Sequence, residues 1–222
     1  MKLFADTADL NDLETLASWG VLSGVTTNPT LLNQVEGDEE TIYRQVCDLV
    51  DGPISAEVVA EARGEMVSEG ARLAAIHPNI VVKLPMGAES LAATAQLAKQ
   101  GVRVNMTLCF SAAQAILAAS SGAAFVSPFL GRFDDIGHNG IEILAEIVEA
   151  FAASDFETEV LAASIRNPIH VIEAARLGAD IATIPPKVFY QMLQHPLTAA
   201  GIEKFNADHA ARQARTDPGV AQ

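Results

Sequence analysis

The chain has 222 residues, half of them hydrophobic, and its 28 acidic and 14 basic residues give a formal net charge of −14. This charge repels phosphate backbones and anionic lipid headgroups, which argues against nucleic acid and membrane surfaces as partners. Cys47 and Cys109 lie far apart without disulfide or metal spacing, and no apolar run is long enough to cross a bilayer. We therefore expect a protein of the cytoplasm with one hydrophobic core.

Short apolar runs alternate along the chain with longer segments rich in Ala, Leu and Glu. The runs predicted as strands are residues 3–6, 24–28, 54–59, 80–84, 102–107, 123–127, 160–164 and 180–184. Regular alternation of strand and helix indicates βαβ crossovers, and eight such units in a chain of this length predict a (β/α)8 TIM barrel. The alternative is a doubly wound open sheet, but no Gly-x-Gly-x-x-Gly follows any strand to support a dinucleotide site.

Capping residues mark several helix boundaries. Asp9 can cap a helix over residues 10–19 that Gly20 ends, and Ser111 can begin an Ala-rich helix that Gly122 stops. An amphipathic segment, residues 198–212, lies outside the eight units. We expect a single domain of residues 1–214, a barrel with an extra C-terminal helix, followed by a disordered tail at 215–222.

Lys83 lies within Ile-Val-Val-Lys-Leu-Pro at residues 80–85, a strand whose two faces should both be covered. Burial lowers the pKa of an ammonium group and frees its lone pair to attack a carbonyl. Schiff-base chemistry is therefore the functional hypothesis for this lysine. The structural alternative is a side chain that reaches solvent or pairs with a carboxylate.

Polar residues also stand at or near the ends of most other predicted strands, where aliphatic side chains would normally fill a barrel. In chain order they are Asp6, Thr26, Asn28, Glu57, Asn105, Thr107, Ser127 and Ser164, with Phe129 on the same face as Ser127. Each has a structural alternative as a cap, turn or backbone-bonded residue. Because the carboxyl ends of barrel strands meet at one mouth, together they predict an active site there.

Two arginines follow neighbouring strands. Arg132 follows the sixth strand, and Arg166 follows the seventh close to Ser164. Two guanidinium groups and a hydroxyl would form a charge-assisted clamp for a phosphate, and the alternative is surface ion pairing with the surplus of acids. The five histidines show no metal-ligand spacing, and we interpret them as loop or surface residues. We predict no metal and no cofactor.

Five motifs identify a family resemblance. They are Gly-Val-Thr-Thr-Asn-Pro-Thr at 24–30, Val-Lys-Leu-Pro at 82–85, Val-Asn-Met-Thr-Leu at 104–108, Ser-Pro-Phe-Leu-Gly-Arg at 127–132 and Ala-Asp-Ile-Ala-Thr-Ile-Pro at 179–185. In this order they resemble the small-subunit transaldolases of the transaldolase/fructose 6-phosphate aldolase family, over residues 1 to about 205. The resemblance implies a cofactor-free pentose phosphate enzyme that moves a dihydroxyacetone unit from sedoheptulose 7-phosphate to glyceraldehyde 3-phosphate, giving erythrose 4-phosphate and fructose 6-phosphate.

The resemblance also implies roles for individual residues and an assembly. Lys83 is similar to the Schiff-base residue, Asp6 to the acid/base at the cleaved bond, and Glu57, through a water held by Thr107, to the group that manages protons. Hydrogen bonds to the dihydroxyacetone unit are implied for Asn28, Asn105 and Ser127, and phosphate contacts for Arg132, Ser164 and Arg166. Thr26 and Phe129 share strand faces with Asn28 and Ser127, so we expect them to contact the substrate too. The family further implies a homo-oligomer, often a pentamer-based decamer, in which the C-terminal helix reaches a neighbour.

Some positions depart from the family, and two alternatives remain. Gly87, Ser90 and Ile165 stand where the family usually has threonine, glycine and phenylalanine. One alternative is fructose 6-phosphate aldolase, which releases free dihydroxyacetone and, by the same resemblance, carries Gln and Tyr where this chain has Glu57 and Phe129. The other is a non-catalytic barrel that binds sugar phosphates.

Overall fold

The computed structural model describes residues 1–216, in which eight parallel strands close into a barrel in the order β1 to β8, so the predicted (β/α)8 fold is confirmed. The strands are β1 Lys2–Asp6, β2 Gly24–Thr26, β3 Ile54–Glu57, β4 Ile80–Pro85, β5 Val104–Cys109, β6 Phe125–Pro128, β7 Glu159–Ala162 and β8 Ile181–Ile184. The helices are α1 Leu10–Ser18, α2 Pro29–Leu32, α3 Glu39–Leu49, α4 Arg63–Ala74, α5 Ala88–Lys99, α6 Ala112–Ser120, α7 Leu130–Asp134, α8 Gly140–Ala152, α9 Pro168–Leu177, α10 Pro186–Leu193 and α11 Pro196–Thr216.

Two apolar layers hold the barrel together. The larger lies between the strands and the surrounding helices and includes Val25, Val82 and Val126. The smaller fills the lower half of the barrel interior, where Phe4 and Phe125 pack edge to face with ring centroids 6.5 Å apart. Because side chains alternate along a strand, the next inward-facing layer toward the carboxyl ends is the one that carries the polar residues.

Several strands end differently from the prediction. β2 and β3 stop at Thr26 and Glu57, two residues earlier than expected, while β5 continues to Cys109. The pairing of β5 with β6 shifts in register before Cys109, and Leu108 takes a positive φ of 53° within this irregularity. Irregular pairing of this kind bends a strand and redirects its side chains, commonly beside active sites.

The predicted helix boundaries agree with the structure. Asp9 and Ser111 cap α1 and α6 through their side-chain oxygens, and Gly20 and Gly122 follow these helices with φ of 70° and 90°. The C-terminal helix α11 is longer than the predicted segment 198–212. It includes Arg215, where we predicted that disorder begins, and residues 217–222 of that predicted tail lie outside the described residues.

No helix within residues 1–216 is both long enough and apolar enough to cross a membrane.

Candidate active site

A cavity of about 420 Å³ opens at the carboxyl ends of the strands. Its wall includes every predicted site residue except Asn105: Asp6, Thr26, Asn28, Glu57, Lys83, Thr107, Ser127, Phe129, Arg132, Ser164 and Arg166. Residues scattered over most of the chain are therefore brought to one mouth by barrel closure. This mouth is where TIM-barrel active sites are built.

Lys83 lies at the base of this cavity and is only 5% exposed. Its Nζ donates to the backbone carbonyl of Thr27 at 2.9 Å and forms an ion pair with Glu57 Oε2, also at 2.9 Å. Glu57 and Lys83 are register partners on β3 and β4, so their side chains leave the sheet together. A buried ion pair has a large desolvation cost and is weak evidence for a stabilising role. The pair of Lys83 and Glu57 therefore indicates a catalytic role for these two side chains.

Asp6 ends β1 and faces the same cavity. Thr26 Oγ1 donates to Asp6 Oδ1 at 2.9 Å, and Thr26 shares a second hydrogen bond of 2.5 Å with Thr183 Oγ1. Burial raises the pKa of Asp6, while the positive charge of Lys83 and the hydrogen bond from Thr26 partly offset that rise. A carboxyl group with a raised pKa is suited to exchange protons with a substrate hydroxyl.

Asn105 lies just below the cavity and is completely buried. Its Nδ2 donates to Ser55 Oγ at 3.1 Å, and its Oδ1 accepts from Ser127 Oγ at 2.7 Å. Asn105 is the register partner of Lys83 across β4 and β5. The hydrogen-bonded series Ser55–Asn105–Ser127 therefore forms a polar floor beneath Lys83, and Ser127 lines the cavity.

Thr107 and Asn28 offer hydrogen-bonding atoms to the cavity. Thr107 Oγ1 is buried and has no hydrogen-bond partner within residues 1–216, although buried hydroxyls are normally paired. Asn28 Oδ1 caps α2 by accepting from Leu31 N at 2.9 Å. Asn28 thus has a structural role as a helix cap, where the structural alternative predicted from the sequence was a turn, and its amide donors remain for a ligand.

The two arginines lie on segments that approach closely. Gly131 N donates to Ser164 O at 3.0 Å, and a Cβ on Gly131 would lie 2.4 Å from that oxygen and 2.5 Å from Arg166 Nε, so only glycine fits. Ser164 itself has a φ of 57°. Arg166 pairs with Asp135 at 2.9 Å through side chains that are both at least half exposed. Such a surface pair contributes little and can be exchanged for a phosphate.

The ring of Phe129 lines the cavity and packs in a small group of aromatic residues. Phe110 packs edge to face against Phe129 and Phe133, with ring centroids 6.0 and 5.6 Å away. Phe129 also rests on the apolar layer inside the barrel. The part of the wall that Phe129 contributes is therefore apolar and carries no proton donor.

Three residues that hydrogen-bond to the site were not predicted from the sequence, and the environment of one histidine was predicted wrongly. Thr183 and Ser55 hydrogen-bond to site residues, and their polar side chains on the apolar strands β8 and β3 were a usable signal. The backbone carbonyl of Thr27, which accepts from Lys83, could not be identified from the sequence because every residue has such a carbonyl. The prediction that all histidines are loop or surface residues is wrong for His170, which is 6% exposed within α9 because it packs between Asp134 and Arg166.

The departures from the family pattern lie mostly away from Lys83. Gly87 precedes α5, and Ser90 donates to Met66 Sδ at 3.7 Å in a separate surface depression. Ile165 is buried and reaches the cavity wall next to Ser164. No group of three or more His, Cys, Asp or Glu residues in the described part of the chain is arranged to hold a metal ion.

Comparison with known proteins adds a family and a fold. Residues 3–220 match the family described as Transaldolase/Fructose-6-phosphate aldolase. Proteins named "Probable transaldolase" are similar over nearly their whole length: that of Moorella thermoacetica is 53% identical, covering 94% of this chain and 97% of its own, and that of Symbiobacterium thermophilum is 54% identical, covering 97% and 100%. A solved thiamine phosphate pyrophosphorylase from Pyrococcus furiosus, 15% identical with a TM-score of 0.57 over 83% of this chain and 85% of its own, shares the fold alone.

Proposed function

The chain belongs to the transaldolase/fructose-6-phosphate aldolase family, and from this premise we propose that it is a transaldolase acting through an imine on Lys83. It transfers a dihydroxyacetone unit from sedoheptulose 7-phosphate to glyceraldehyde 3-phosphate, a reaction of the pentose phosphate pathway, and needs neither metal nor cofactor. The observation that carries the proposal is a buried lysine paired with Glu57 at the base of a cavity that Asp6 also faces. Formation of erythrose 4-phosphate from the two substrates tests it.

Imine formation begins at the ion pair between Lys83 and Glu57. Glu57 Oε2, 2.9 Å from Nζ, takes a proton from the ammonium group, and the free amine attacks the ketone carbon of the sugar. Glu57 then returns the proton to the carbinolamine hydroxyl, which leaves as water while the C=N bond forms. The unpaired Thr107 hydroxyl supports this step because it can hold that water beside the lysine.

Carbon–carbon cleavage uses Asp6. Its carboxylate takes the proton of the C4 hydroxyl, the C3–C4 bond breaks, and its electron pair moves into the protonated imine to give an enamine. The aldehyde product leaves, and the enamine then attacks an acceptor aldehyde whose oxygen receives the proton from Asp6. Water finally hydrolyses the new imine. Ser127 and Asn28 line the cavity, and we assign to them hydrogen bonds with the bound three-carbon unit.

The phosphate of the substrate is assigned to Arg132, Ser164 and Arg166 at the rim. A charge-assisted hydrogen bond contributes about 1.5–3 kcal/mol, so Arg132→Ala or Arg166→Ala should raise KM for fructose 6-phosphate roughly ten- to a hundredfold. Fructose without phosphate should be affected much less. Steady-state kinetics with both sugars measures this difference, and equal losses for the two would mean that the arginines are structural.

The side chain of Phe129 favours transfer of the three-carbon unit over its release as free dihydroxyacetone. Because the ring of Phe129 offers no proton near Ser127, the enamine persists until an aldehyde acceptor arrives. Phe129→Tyr should therefore raise fructose 6-phosphate cleavage without acceptor and lower transfer, because a phenol can help water protonate the enamine. Free dihydroxyacetone measured with and without acceptor reports the change. A variant that keeps the wild-type ratio would contradict this role.

We also propose a homo-oligomer in the cytoplasm, with a decamer as the expected state. Helix α11 extends from the barrel with large apolar side chains in solvent: Leu197, Ile202 and Phe205 are 75%, 56% and 72% exposed. Apolar side chains exposed to this extent are typical of a surface that packs on another subunit. Sedimentation velocity measures the subunit number directly.

A further inference from the structure

His170 connects the two segments that carry the phosphate-site arginines. Its Nε2 lies 2.8 Å from Asp134 Oδ2 on α7, and its Nδ1 accepts from the backbone N–H of Arg166 at 3.3 Å. Because an N–H donates to Nδ1, that nitrogen carries no proton, and the neutral ring donates its Nε2–H to Asp134. One buried ring thus joins α7 to the loop after β7.

Each end of this connection is itself anchored. Asp134 stands two residues after Arg132 and accepts a second hydrogen bond from Gly140 N at 3.1 Å. Asn167 Oδ1 accepts from His170 N at 3.1 Å and caps α9, which fixes the backbone from which the imidazole projects. The imidazole therefore joins two anchored segments and, together with the hydrogen bond from Gly131 N to Ser164 O, holds them at one spacing.

We propose that His170 is a positioning residue that sets the spacing of Arg132 and Arg166 for a substrate phosphate, an inference that rests on the proposed function. A phosphate held by two guanidinium groups needs them at one separation, yet each is on a long side chain exposed at the rim. The protein can fix only the backbone from which each arginine projects. His170 bonds directly to the backbone of Arg166 and, through Asp134, to the helix of Arg132.

Two substitutions of His170 distinguish the contributions of its two hydrogen bonds. His170→Phe keeps a planar ring and removes both hydrogen bonds, whereas His170→Asn keeps an acceptor near the position of Nδ1 and removes the bond to Asp134. We expect His170→Phe to raise KM for fructose 6-phosphate and the inhibition constant of inorganic phosphate by about tenfold. His170→Asn should raise both by less, and the rate with unphosphorylated fructose should change less than twofold in either variant.

His77 provides a matched control. Its Nδ1 also accepts a backbone N–H, from Asn79 at 3.1 Å, but just before β4, at the opposite end of the barrel from the cavity. His77→Asn can lower Tm as much as His170→Asn does, but it should leave phosphate inhibition unchanged. This comparison separates positioning of the arginines from a general loss of stability.

A triple variant tests whether His170 acts through the two arginines. In Arg132→Ala/Arg166→Ala protein the histidine has no arginines to position, so adding His170→Phe should not weaken phosphate inhibition further. Equal losses for fructose 6-phosphate and fructose, or an unchanged inhibition constant with a lower Tm, would overturn the inference; if His170→Phe does not fold, His170→Asn decides by the same criteria. Wild-type protein with no transfer activity would instead overturn the proposed function.

Discussion

Replacing Lys83 by methionine should abolish turnover and leave the barrel folded. Methionine fills nearly the same space without an amine, so no imine can form and little cavity is created. The substitution leaves the buried Glu57 carboxylate without its cation, so Lys83→Met/Glu57→Gln is the variant that best preserves stability. Transfer rates together with thermal melting followed by circular dichroism measure both effects.

Borohydride trapping locates the covalent bond. Reduction in the presence of fructose 6-phosphate should place a stable adduct on the peptide that contains Lys83 in wild-type protein and on no peptide of Lys83→Met. Lys99, exposed at the end of α5, is the matched control, and Lys99→Met should keep both turnover and the adduct. An adduct on a different lysine, or none on active protein, would contradict the assignment.

Asp6→Asn should lower kcat by about 10²- to 10⁴-fold, the usual contribution of a general base. The defect should fall on carbon–carbon cleavage, because imine formation depends on Glu57 and Lys83. Borohydride should therefore still trap sugar on Lys83, but as the intact six-carbon chain instead of the three-carbon fragment. Peptide masses distinguish the two adducts, and a three-carbon adduct at the wild-type level would show that Asp6 is not the base.

The pH dependence of this step follows from the burial of Asp6. Burial raises its pKa above 3.8, and below that raised pKa the carboxyl is protonated and cannot accept the hydroxyl proton. Activity should thus fall with acid, and Thr26→Val should move the acid limb of the kcat profile to higher pH because it removes a bond that stabilises the carboxylate. Thr183→Val, which leaves that bond in place, should move it much less.

The raised pKa of Asp6 also affects the free energy of unfolding. The folded-state pKa of Asp6 is above the unfolded value, so its contribution to stability is present below the unfolded pKa and is lost as pH rises through the folded pKa. At neutral pH the buried carboxylate therefore opposes folding. Asp6→Asn should leave Tm unchanged or raise it while activity is lost, which separates a catalytic from a structural role.

Sequence patterns predicted much of the site because barrel geometry is regular. Lys83, Asp6 and Glu57 are single polar residues at or near the ends of apolar strands, and barrel closure brings those ends together, so a shared site could be predicted before the fold was known. Side chains two residues apart share a face, which added Asn105 with Thr107. The depth of each side chain depends on strand stagger, which no single strand encodes. Asn105 was assigned to the correct face for this reason, but its burial below the cavity was not predicted.

Tertiary contacts between separate elements could not be predicted from the sequence. The bond between His170 on α9 and Asp134 on α7 depends on how these two helices lie relative to each other, a tertiary contact with no local sequence pattern. The irregular pairing at Leu108 likewise reflects the fit of β5 to β6. Interactions of this kind determine the shape of the cavity rim. The alternation of side chains along the strands determines which residues line the cavity below it.

Cleavage of fructose 6-phosphate with and without erythrose 4-phosphate tests the central claim most directly. A transaldolase should release glyceraldehyde 3-phosphate slowly without the acceptor and much faster with it, forming sedoheptulose 7-phosphate in equal amount. If the wild-type enzyme cleaves fructose 6-phosphate equally fast in both cases and free dihydroxyacetone accumulates, it is an aldolase and the proposed transfer is wrong.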